Sequence, residues 1–288
     1  MFTCLLVNSF TVFLVTTLMN DTKFNIAVLI DGDNAQAKLI KELIEEVSKY
    51  GKATIRRIYG DWTIPQMNSW KEIINQYSIN PIQKFSYTTG KNSTDSSLII
   101  DAMDILHGQT VDGFCIVSSD SDYTGLAKRI REEGLFVMGI GRRTTPIAFV
   151  NSCEIFTFSE NLLQEIELTR EKKVEKVEVK KLEIADSKTK RRTKKGIEKI
   201  VEKTEGKKGF PKLDIGILDK AFDISTNEEE EAYIAKVGSS LRKIDPSFDS
   251  RTYGFKTLTH LFESLDKYTV VKNEVNGLNH PLVKLAHS

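Results

Sequence analysis

The sequence predicts a three-layer α/β domain with a parallel sheet, followed by a charged linker and a small winged-helix domain. Short apolar runs alternate with amphipathic segments from Phe24 to about Glu167, which is typical of parallel strands connected by helices. Beyond Phe210, three helical patterns precede two extended segments, as in a winged helix. With 288 residues, 40% of them apolar, the chain is long enough to fill both cores.

Six segments of the first domain, residues 24–168, have the character of buried strands. Most are unbroken apolar runs, as expected for strands that are covered on both faces. The predicted strands are residues 25–30, 53–59, 82–85, 114–118, 135–140 and 155–158. Between them, apolar residues recur at helical spacing, for example Leu126, Ala127 and Ile130. We therefore expect helices on both sides of one parallel sheet.

The apolar N-terminal extension, residues 1–23, carries no charged side chain before Asp21. It is long enough for a membrane anchor, but no basic residue precedes the apolar run and Asn and Thr residues dilute it. We expect an unstructured extension, or translation from Met19, and membrane association only if the segment is a real anchor. Three cysteines without a CxxC pair argue against a disulfide framework and a structural zinc site, and they suit a cytoplasmic protein.

The linker, residues 169–209, is strongly basic, although the whole chain has a net charge of only +1. From Arg170 to Lys208 there are 16 Lys and Arg residues against 8 Asp and Glu residues, and there are too few apolar residues to form a core. Two interpretations remain open, a solvated linker and an arm that follows a phosphate backbone. A local basic cluster favours the second: Lys188, Lys190, Arg191, Arg192, Lys194 and Lys195.

The C-terminal domain, residues 210–288, recovers a core pattern. Its first predicted helix contains Leu218, the second runs from about Glu228 to just before Pro246, and the third contains Leu258. Two extended segments, residues 268–272 and 281–285, then predict a closing hairpin.

Acidic residues follow the predicted strands of the first domain. Asp31 comes directly after residues 25–30, Asp120 and Asp122 follow residues 114–118, and Asp95 opens a helix. Loops after the strands of an open parallel sheet gather at one edge, where ligands bind. Clustered carboxylates repel one another unless a cation is present, and oxygen ligands without His or Cys select Mg²⁺ or Mn²⁺. We predict that four aspartates are the metal ligands and catalytic acids: Asp31, Asp95, Asp120 and Asp122. Asn34 and Ser119 are predicted to position them by hydrogen bonds. Asp33 would either support a metal ligand or bind the metal late in the reaction.

Two alternatives remain at this point. Each acidic cluster, taken alone, is more typical of a cap of a helix or a turn than of a metal site. In addition, residues 120–124 fit the DxDxT string of haloacid-dehalogenase-like phosphatases, although two serines separate Asp120 from its strand. A calcium loop at this position would need an acid where Arg131 stands.

Three blocks of the first domain resemble the NYN-domain family of PIN-like, LabA-like nucleases. The blocks are residues 28–34, 91–104 and 113–123, and the similarity continues to about Leu162. The resemblance implies a PIN-like fold, a divalent metal and ribonuclease activity, with the catalytic acids at the four aspartates named above. Asp101 lies in a matching block, but it is six residues after Asp95 and should project from another helix face, so we interpret it as structural.

The C-terminal domain resembles the OST-HTH/LOTUS domain, a winged helix linked with RNA binding. The similarity lies in Tyr253-Gly254-Phe255, the helix around Leu261, and the segments 268–271 and 282–285.

Substrate contacts are expected near the acids. Candidate residues, cations for phosphates and aromatic rings for stacking single-stranded bases, are Lys91, Arg142, Arg143, Tyr59 and Trp62. The sequence thus predicts a Mg²⁺- or Mn²⁺-dependent endoribonuclease with RNA as partner and no small-molecule cofactor. The alternative is a non-catalytic RNA-binding or adaptor protein that keeps the fold. A homo-oligomer or a protein partner of the C-terminal domain is left open.

Overall fold

The computed structural model describes residues 24–85, 93–163, 210–227, 230–275 and 278–286. The N-terminal extension, the basic linker and Lys91 lie outside these residues, so the predictions made for them stay predictions. The described residues form two compact units. One contains the residues up to Ile116 together with Ile130–Phe136, and the other contains Val117–Arg129 and the residues from Val137 onward.

Six parallel strands form one sheet in the order β3-β2-β1-β4-β5-β6. The strands are β1 (Asn25–Asp31), β2 (Lys52–Gly60), β3 (Asn80–Gln83), β4 (Gly113–Val117), β5 (Phe136–Gly141) and β6 (Ile155–Phe158). This confirms the predicted α/β class. Because the chain moves outward in one direction from β1 and in the other from β4, the carboxyl ends of these two neighbouring strands form a topological switch point, the usual ligand position in such sheets.

In the first unit, apolar residues of β1 form the centre of the core. Residues 26–30 are fully buried, and three helices connect the strands by burying one apolar face each. These helices are α1 (Ile40–Ser48), α2 (Lys71–Gln76) and α3 (Ser93–His107). Among the strands of the described residues, β3 lies at one edge of the sheet and pairs only with β2, and it contains Pro81.

The second unit contains most of helix α4 (Thr124–Glu132) and of β5, together with α5 (Ile147–Val150) and β6. Phe149 packs edge-to-face against Phe156 of β6, with ring centroids 5.7 Å apart. Strand β6 forms the other edge of the sheet, and the backbone N–H of Phe156 donates to the carbonyl oxygen of Pro246 at 2.8 Å. Cys115 of β4 and Cys153 are both buried and form no disulfide with each other.

The C-terminal region contains helices and a small antiparallel sheet, as a winged helix requires. Its helices are α6 (Ile215–Ser225), α7 (Ile234–Ile244) and α8 (Leu258–Glu263). Its strands are β7 (Glu231–Tyr233), β8 (Tyr268–Val271), β9 (Glu274–Val275), β10 (Leu278–Asn279) and β11 (Leu282–Leu285). The central strand β11 pairs with both β7 and β8, which confirms the predicted closing hairpin. Phe222, Val237 and Phe262 belong to its core.

The second C-terminal helix begins later than predicted. Residues from Glu231 to Tyr233 form β7 instead, with Ala232 buried and paired with Val283. Glu230 has a positive φ of 58°, a left-handed conformation that interrupts a helix. The strand is therefore selected by pairing with β11, a contact with residues about fifty positions away in the sequence.

Candidate functional site

Asp31 is the last residue of β1 and is only 1% exposed. Its carboxylate accepts hydrogen bonds from the backbone N–H groups of Asp33 at 3.2 Å and Asn34 at 3.4 Å, and from the Asn34 side-chain amide at 2.7 Å. This local loop geometry fixes the orientation of the Asp31 side chain. The side chain of Asn34 thus contacts an acid directly, and its role as a positioning residue in a metal site stays a prediction.

Three other acids converge. Asp95 lies in the first turn of α3, and Asp120 and Asp122 lie in the loop and short 3-10 turn that follow β4. One carboxylate oxygen of each lies within 4.8 Å of the corresponding oxygens of the other two. We call these residues the acidic triad. The Asp120 carboxylate also accepts the backbone N–H of Asp122 at 2.9 Å, which orients it.

The loops after β4 and β5 approach each other closely. The Ser119 hydroxyl accepts the backbone N–H of Arg142 at 2.9 Å, and Thr145 donates its hydroxyl to the Arg142 carbonyl at 2.6 Å. A Cβ on Gly141 would lie 2.5 Å from the Ser118 carbonyl oxygen, so only glycine allows this approach. Ser119 thus connects the loop that carries Asp120 to the loop that carries the exposed Arg142.

Arg143 is held in place by hydrogen bonds to Glu160 and Asn161. Its backbone N–H donates to the Glu160 carboxylate at 3.1 Å, and its guanidinium donates to the Asn161 side-chain oxygen at 3.2 Å. Asn161 is fully buried, and its amide nitrogen donates to the hydroxyl of Thr252 at 2.9 Å. Arg143 is therefore a fixed residue rather than a freely mobile surface cation.

A second polar cluster lies on β2 and α3. Arg57 and Tyr59 are two residues apart on β2, so their side chains share one face of the sheet, and both donate to the carboxylate of Asp101. Burial, and then the hydrogen bond to Asp101, raises the pKa of Tyr59 far above its usual value. The separate hydrogen bond from Arg57 to Asp101 raises the pKa of the Arg57 guanidinium. These contacts support a structural role for Asp101, which stays a prediction.

Of the two aromatic residues predicted to stack on bases, Tyr59 is buried and Trp62 is partly exposed. Tyr59 is fully buried, with its hydroxyl bonded to Asp101, so its ring offers no surface on which a base could stack. The expectation of stacking on Tyr59 is therefore wrong for this structure, and the cause is the packing of α3 on β2. Trp62 is partly exposed, and its indole N–H donates to the Ile82 carbonyl at 3.2 Å.

Two family models match the chain. Residues 25–163 match the NYN domain, and residues 192–280 match the OST-HTH/LOTUS domain. The chain combines a NYN domain with an OST-HTH/LOTUS domain. These two domains indicate a nuclease-like function related to RNA, and this favours a nuclease over a haloacid-dehalogenase-like phosphatase. The OST-HTH/LOTUS domain indicates RNA as a partner.

Two solved structures of bacterial proteins are similar to the NYN–OST-HTH chain. A protein of unknown function from Vibrio parahaemolyticus has 20% identity and a TM-score of 0.41, with 49% of this chain and 95% of that chain covered. An uncharacterised protein from Nitrosomonas europaea has 19% identity and a TM-score of 0.27, with 35% and 92% covered. No curated protein matches the chain significantly in sequence. Within the described residues, no helix is long and apolar enough to cross a membrane.

The acidic triad of the NYN domain fits a hard divalent cation. Three carboxylates so close together repel one another, and a divalent cation removes this repulsion. Its ligands are all oxygens, and the triad residues are exposed or partly exposed. Oxygen ligands of this kind suit Mg²⁺ or Mn²⁺ rather than zinc. Asp31 is not a member of the triad, and its part in a metal site stays a prediction.

The sequence analysis missed a group of residues that line a groove between two loops of the NYN domain. A groove of about 540 Å³ lies between the loop after β1 and the 3-10 helix Pro65–Trp70 after β2. Gly32 and Asp33 line it on one side and Gln66, Met67 and Trp70 on the other. Gly32 and Asp33 belong to the block 28–34, but no motif marks Gln66, Met67 and Trp70. The signal available in the sequence was position, because both segments follow strand ends at the ligand-binding edge.

Proposed function

We propose that the chain is a Mg²⁺- or Mn²⁺-dependent endoribonuclease. The observation that carries this proposal is the acidic triad of Asp95, Asp120 and Asp122 within a NYN domain. A bound divalent cation would lower the pKa of a water molecule and neutralise charge on the scissile phosphate, the usual chemistry of metal-assisted phosphodiester hydrolysis.

The residues of the chain have distinct roles in this proposal. The triad holds the cation, and Asp31 joins it as a fourth acid because β1 and β4 are neighbours whose carboxyl ends lie at the same edge. Asn34 holds the carboxylate of Asp31 at 2.7 Å. Ser119 holds the backbone of Arg142 at 2.9 Å, so that this exposed guanidinium can meet a substrate phosphate beside the acids.

In this proposal, cleavage and RNA binding belong to different parts of the chain. The nuclease domain, residues 24–168, would cut the RNA. The basic linker, residues 169–209, and the winged helix, residues 210–288, would supply affinity. For the linker, we infer this because the chain outside Arg170 to Lys208 carries 25 Lys and Arg against 32 Asp and Glu residues, and an acidic body by itself repels phosphates. For the winged helix, the support is the match to the OST-HTH/LOTUS domain.

The test is cleavage of end-labelled single-stranded RNA by the full chain in Mg²⁺ or Mn²⁺. Asp120→Asn keeps a side-chain oxygen for the Asp122 N–H but removes a charge from the triad. We expect cleavage to fall at least about 100-fold, since loss of residues that merely support metal ligands already costs about 10–100-fold. The matched control is Asp104→Asn, on the same helix as Asp95 but exposed and outside the triad.

A second measurement separates metal binding from turnover. Mn²⁺ titration, followed by electron paramagnetic resonance, should show weaker binding in Asp95→Asn and Asp122→Asn and unchanged binding in Asp104→Asn. Wild-type protein that binds RNA but leaves it uncut in both metals would overturn the enzymatic proposal and favour the adaptor function. Cleavage that persists equally in all triad variants would refute the assignment of these acids.

A further inference from the structure

Asn161 is a fully buried polar residue in the helical segment that follows β6. Its side-chain nitrogen donates to the Thr252 hydroxyl at 2.9 Å and to the Asp249 carboxylate at 3.3 Å. Its side-chain oxygen accepts from the Arg143 guanidinium at 3.2 Å. A buried amide that is paired at both ends has a fixed orientation. Asn161 therefore connects two residues of the OST-HTH/LOTUS domain with an arginine of the NYN domain.

The residues of the OST-HTH/LOTUS domain that hold this amide are themselves fixed. The Asp249 carboxylate accepts the backbone N–H of Arg251 at 2.8 Å and forms an ion pair with the Arg251 guanidinium at 2.6 Å. Thr252 is only 8% exposed. A second contact lies on the edge strand β6, where the backbone N–H of Phe156 donates to the Pro246 carbonyl at 2.8 Å. Segment 246–252 is thus anchored to the NYN domain at two separate points.

The arginine at the other end of this connection lies near the predicted acids. Arg143 is exposed and follows β5, the neighbour of β4 in the sheet. The preceding residue, Arg142, donates its backbone N–H at 2.9 Å to Ser119, which directly precedes Asp120. The connection therefore leads from the OST-HTH/LOTUS domain to an exposed cation beside the loop that carries Asp120.

The neutral amide of Asn161 suits an arginine that binds an anion. An aspartate at this position would form an ion pair with the guanidinium and offset its charge. The amide instead accepts one N–H of Arg143 and adds no charge of its own. Arg143 also acts on the OST-HTH/LOTUS domain electrostatically, because it opposes the rise in the pKa of Tyr253 that burial and the nearby Asp245 and Asp214 cause.

We propose that Asn161 and Thr252 are positioning residues for Arg143, so that the OST-HTH/LOTUS domain forms part of the site that binds a substrate phosphate. The proposal rests on the proposed ribonuclease function and identifies the residues through which one domain acts on the other. An arginine that is already held in place loses less side-chain freedom when it binds a phosphate. Loss of the connection should therefore weaken substrate binding rather than slow the chemical step.

Thr252 offers a matched pair of variants for the test. Thr252→Val keeps the shape of the side chain but removes the hydroxyl that accepts from Asn161, whereas Thr252→Ser keeps the hydroxyl. RNA affinity of the full chain is measured by anisotropy in a chelator, and KM and kcat are measured in Mn²⁺. We expect Thr252→Val to weaken affinity and to raise KM about 3- to 10-fold, as for one lost hydrogen bond, with kcat unchanged within about twofold.

Two variants should resemble the wild type. Thr252→Ser should bind RNA within about twofold of the wild type, because its hydroxyl can still accept from the Asn161 amide. Ser250→Ala is the control in the same 3-10 turn, since the Ser250 hydroxyl is not among the partners of Asn161 in the described residues. Circular dichroism of each variant checks that it folds.

A double-mutant cycle tests whether Thr252 acts through Arg143. In an Arg143→Ala background, Thr252→Val should change RNA affinity by less than about twofold, because the guanidinium that the hydroxyl helps to hold is gone. A role in packing alone would give the same loss in both backgrounds. Arg143 is exposed, so Arg143→Ala should fold, and this single variant should itself bind RNA several-fold more weakly.

The outcomes separate this proposal from the nuclease. An affinity change below about twofold in Arg143→Ala or in folded Thr252→Val would overturn the positioning role, even if the protein cleaves RNA through the acidic triad. Equal losses in Thr252→Val and Thr252→Ser would also overturn it, as would a loss that persists in the Arg143→Ala background. Protein that shows the expected losses of affinity but cuts no RNA in either metal would keep the positioning role and refute the nuclease.

Discussion

The contribution of Asp101 to the free energy of unfolding can be worked out from its contacts with Arg57 and Tyr59. The perturbation is Asp101→Ala, which removes the acceptor of the Tyr59 hydroxyl and the counter-ion of Arg57. Tyr59 is fully buried, so an unpaired hydroxyl costs about 1–3 kcal/mol. The Arg57–Asp101 ion pair is partly exposed, at 30% and 23%, so its loss adds only about 0.5–1 kcal/mol. We expect a total destabilisation of about 1.5–4 kcal/mol.

The assay is urea unfolding followed by tryptophan fluorescence. Trp62 and Trp70 both follow β2, the strand that carries Arg57 and Tyr59, so the signal reports on the affected unit. In a Tyr59→Phe background no hydroxyl is left unpaired, so Asp101→Ala should then cost about 1 kcal/mol or less. The control on the same helix is Asp104→Ala, an exposed position that should change stability by less than about 0.5 kcal/mol.

Two results would refute the reasoning about Asp101. One is a loss below about 1 kcal/mol in Asp101→Ala, which would mean that the buried hydroxyl finds water or another partner. The other is a strong loss of Mn²⁺ affinity in Asp101→Asn, comparable to that in Asp95→Asn. That result would make Asp101 a metal ligand rather than a structural residue.

Three further predictions concern the C-terminal region and the linker. Burial opposes ionisation of Asp219, but hydrogen bonds from Lys267 and Tyr268 lower its pKa, so its stabilising effect is present above about pH 4 and lost as the pH falls further. The stability difference between wild type and Asp219→Asn, measured by thermal unfolding, should therefore shrink below about pH 4; a constant difference would contradict it. Gly254→Ala should destabilise by at least about 1–2 kcal/mol, because φ is 88° and the new Cβ would lie 2.9 Å from the Phe210 ring, whereas Gly125→Ala, with open space around it, should be neutral or stabilising. Replacing the six clustered basic residues between Lys188 and Lys195 by serine should reduce the slope of log affinity against log salt for single-stranded RNA by up to about 4, measured by anisotropy; an unchanged slope would show that they do not contact phosphates.

Much of the fold could be predicted because strand signals in a parallel sheet are local. An unbroken apolar run such as the one that became β4 is buried on both faces wherever the strand lies in the sheet. The three residues of β7 lack such a signal, since a strand this short shows no periodicity and forms through pairing with β11. The start of α7 was therefore misplaced, while the helices with a continuous apolar face were found.

The candidate site could be predicted only in part, for a similar reason. Asp120 closely follows β4, so the topology of the sheet predicts its place at the ligand-binding edge. Asp95 is in the first turn of α3, and sheet topology alone does not predict that it meets Asp120. The burial of Tyr59 depends on how a distant helix packs, because its partner Asp101 is 42 positions away. The groove lined by Gln36 and Gln66 joins two loops that share no motif, so tertiary structure alone reveals it.

The two outer strands of the sheet have a consequence for self-association. Pro81 has no N–H to offer on the short strand β3, and on β6 the N–H of Phe156 already donates to Pro246. Strands at the border of a sheet are the usual starting points of amyloid-like aggregation, because their free backbone groups can recruit another chain. Both edge strands have fewer free backbone groups for pairing with another chain. A concentrated preparation should therefore resist strand-by-strand polymerisation. Pro81→Val would restore a hydrogen-bond donor to the edge strand β3 and make this strand more prone to pair with another chain.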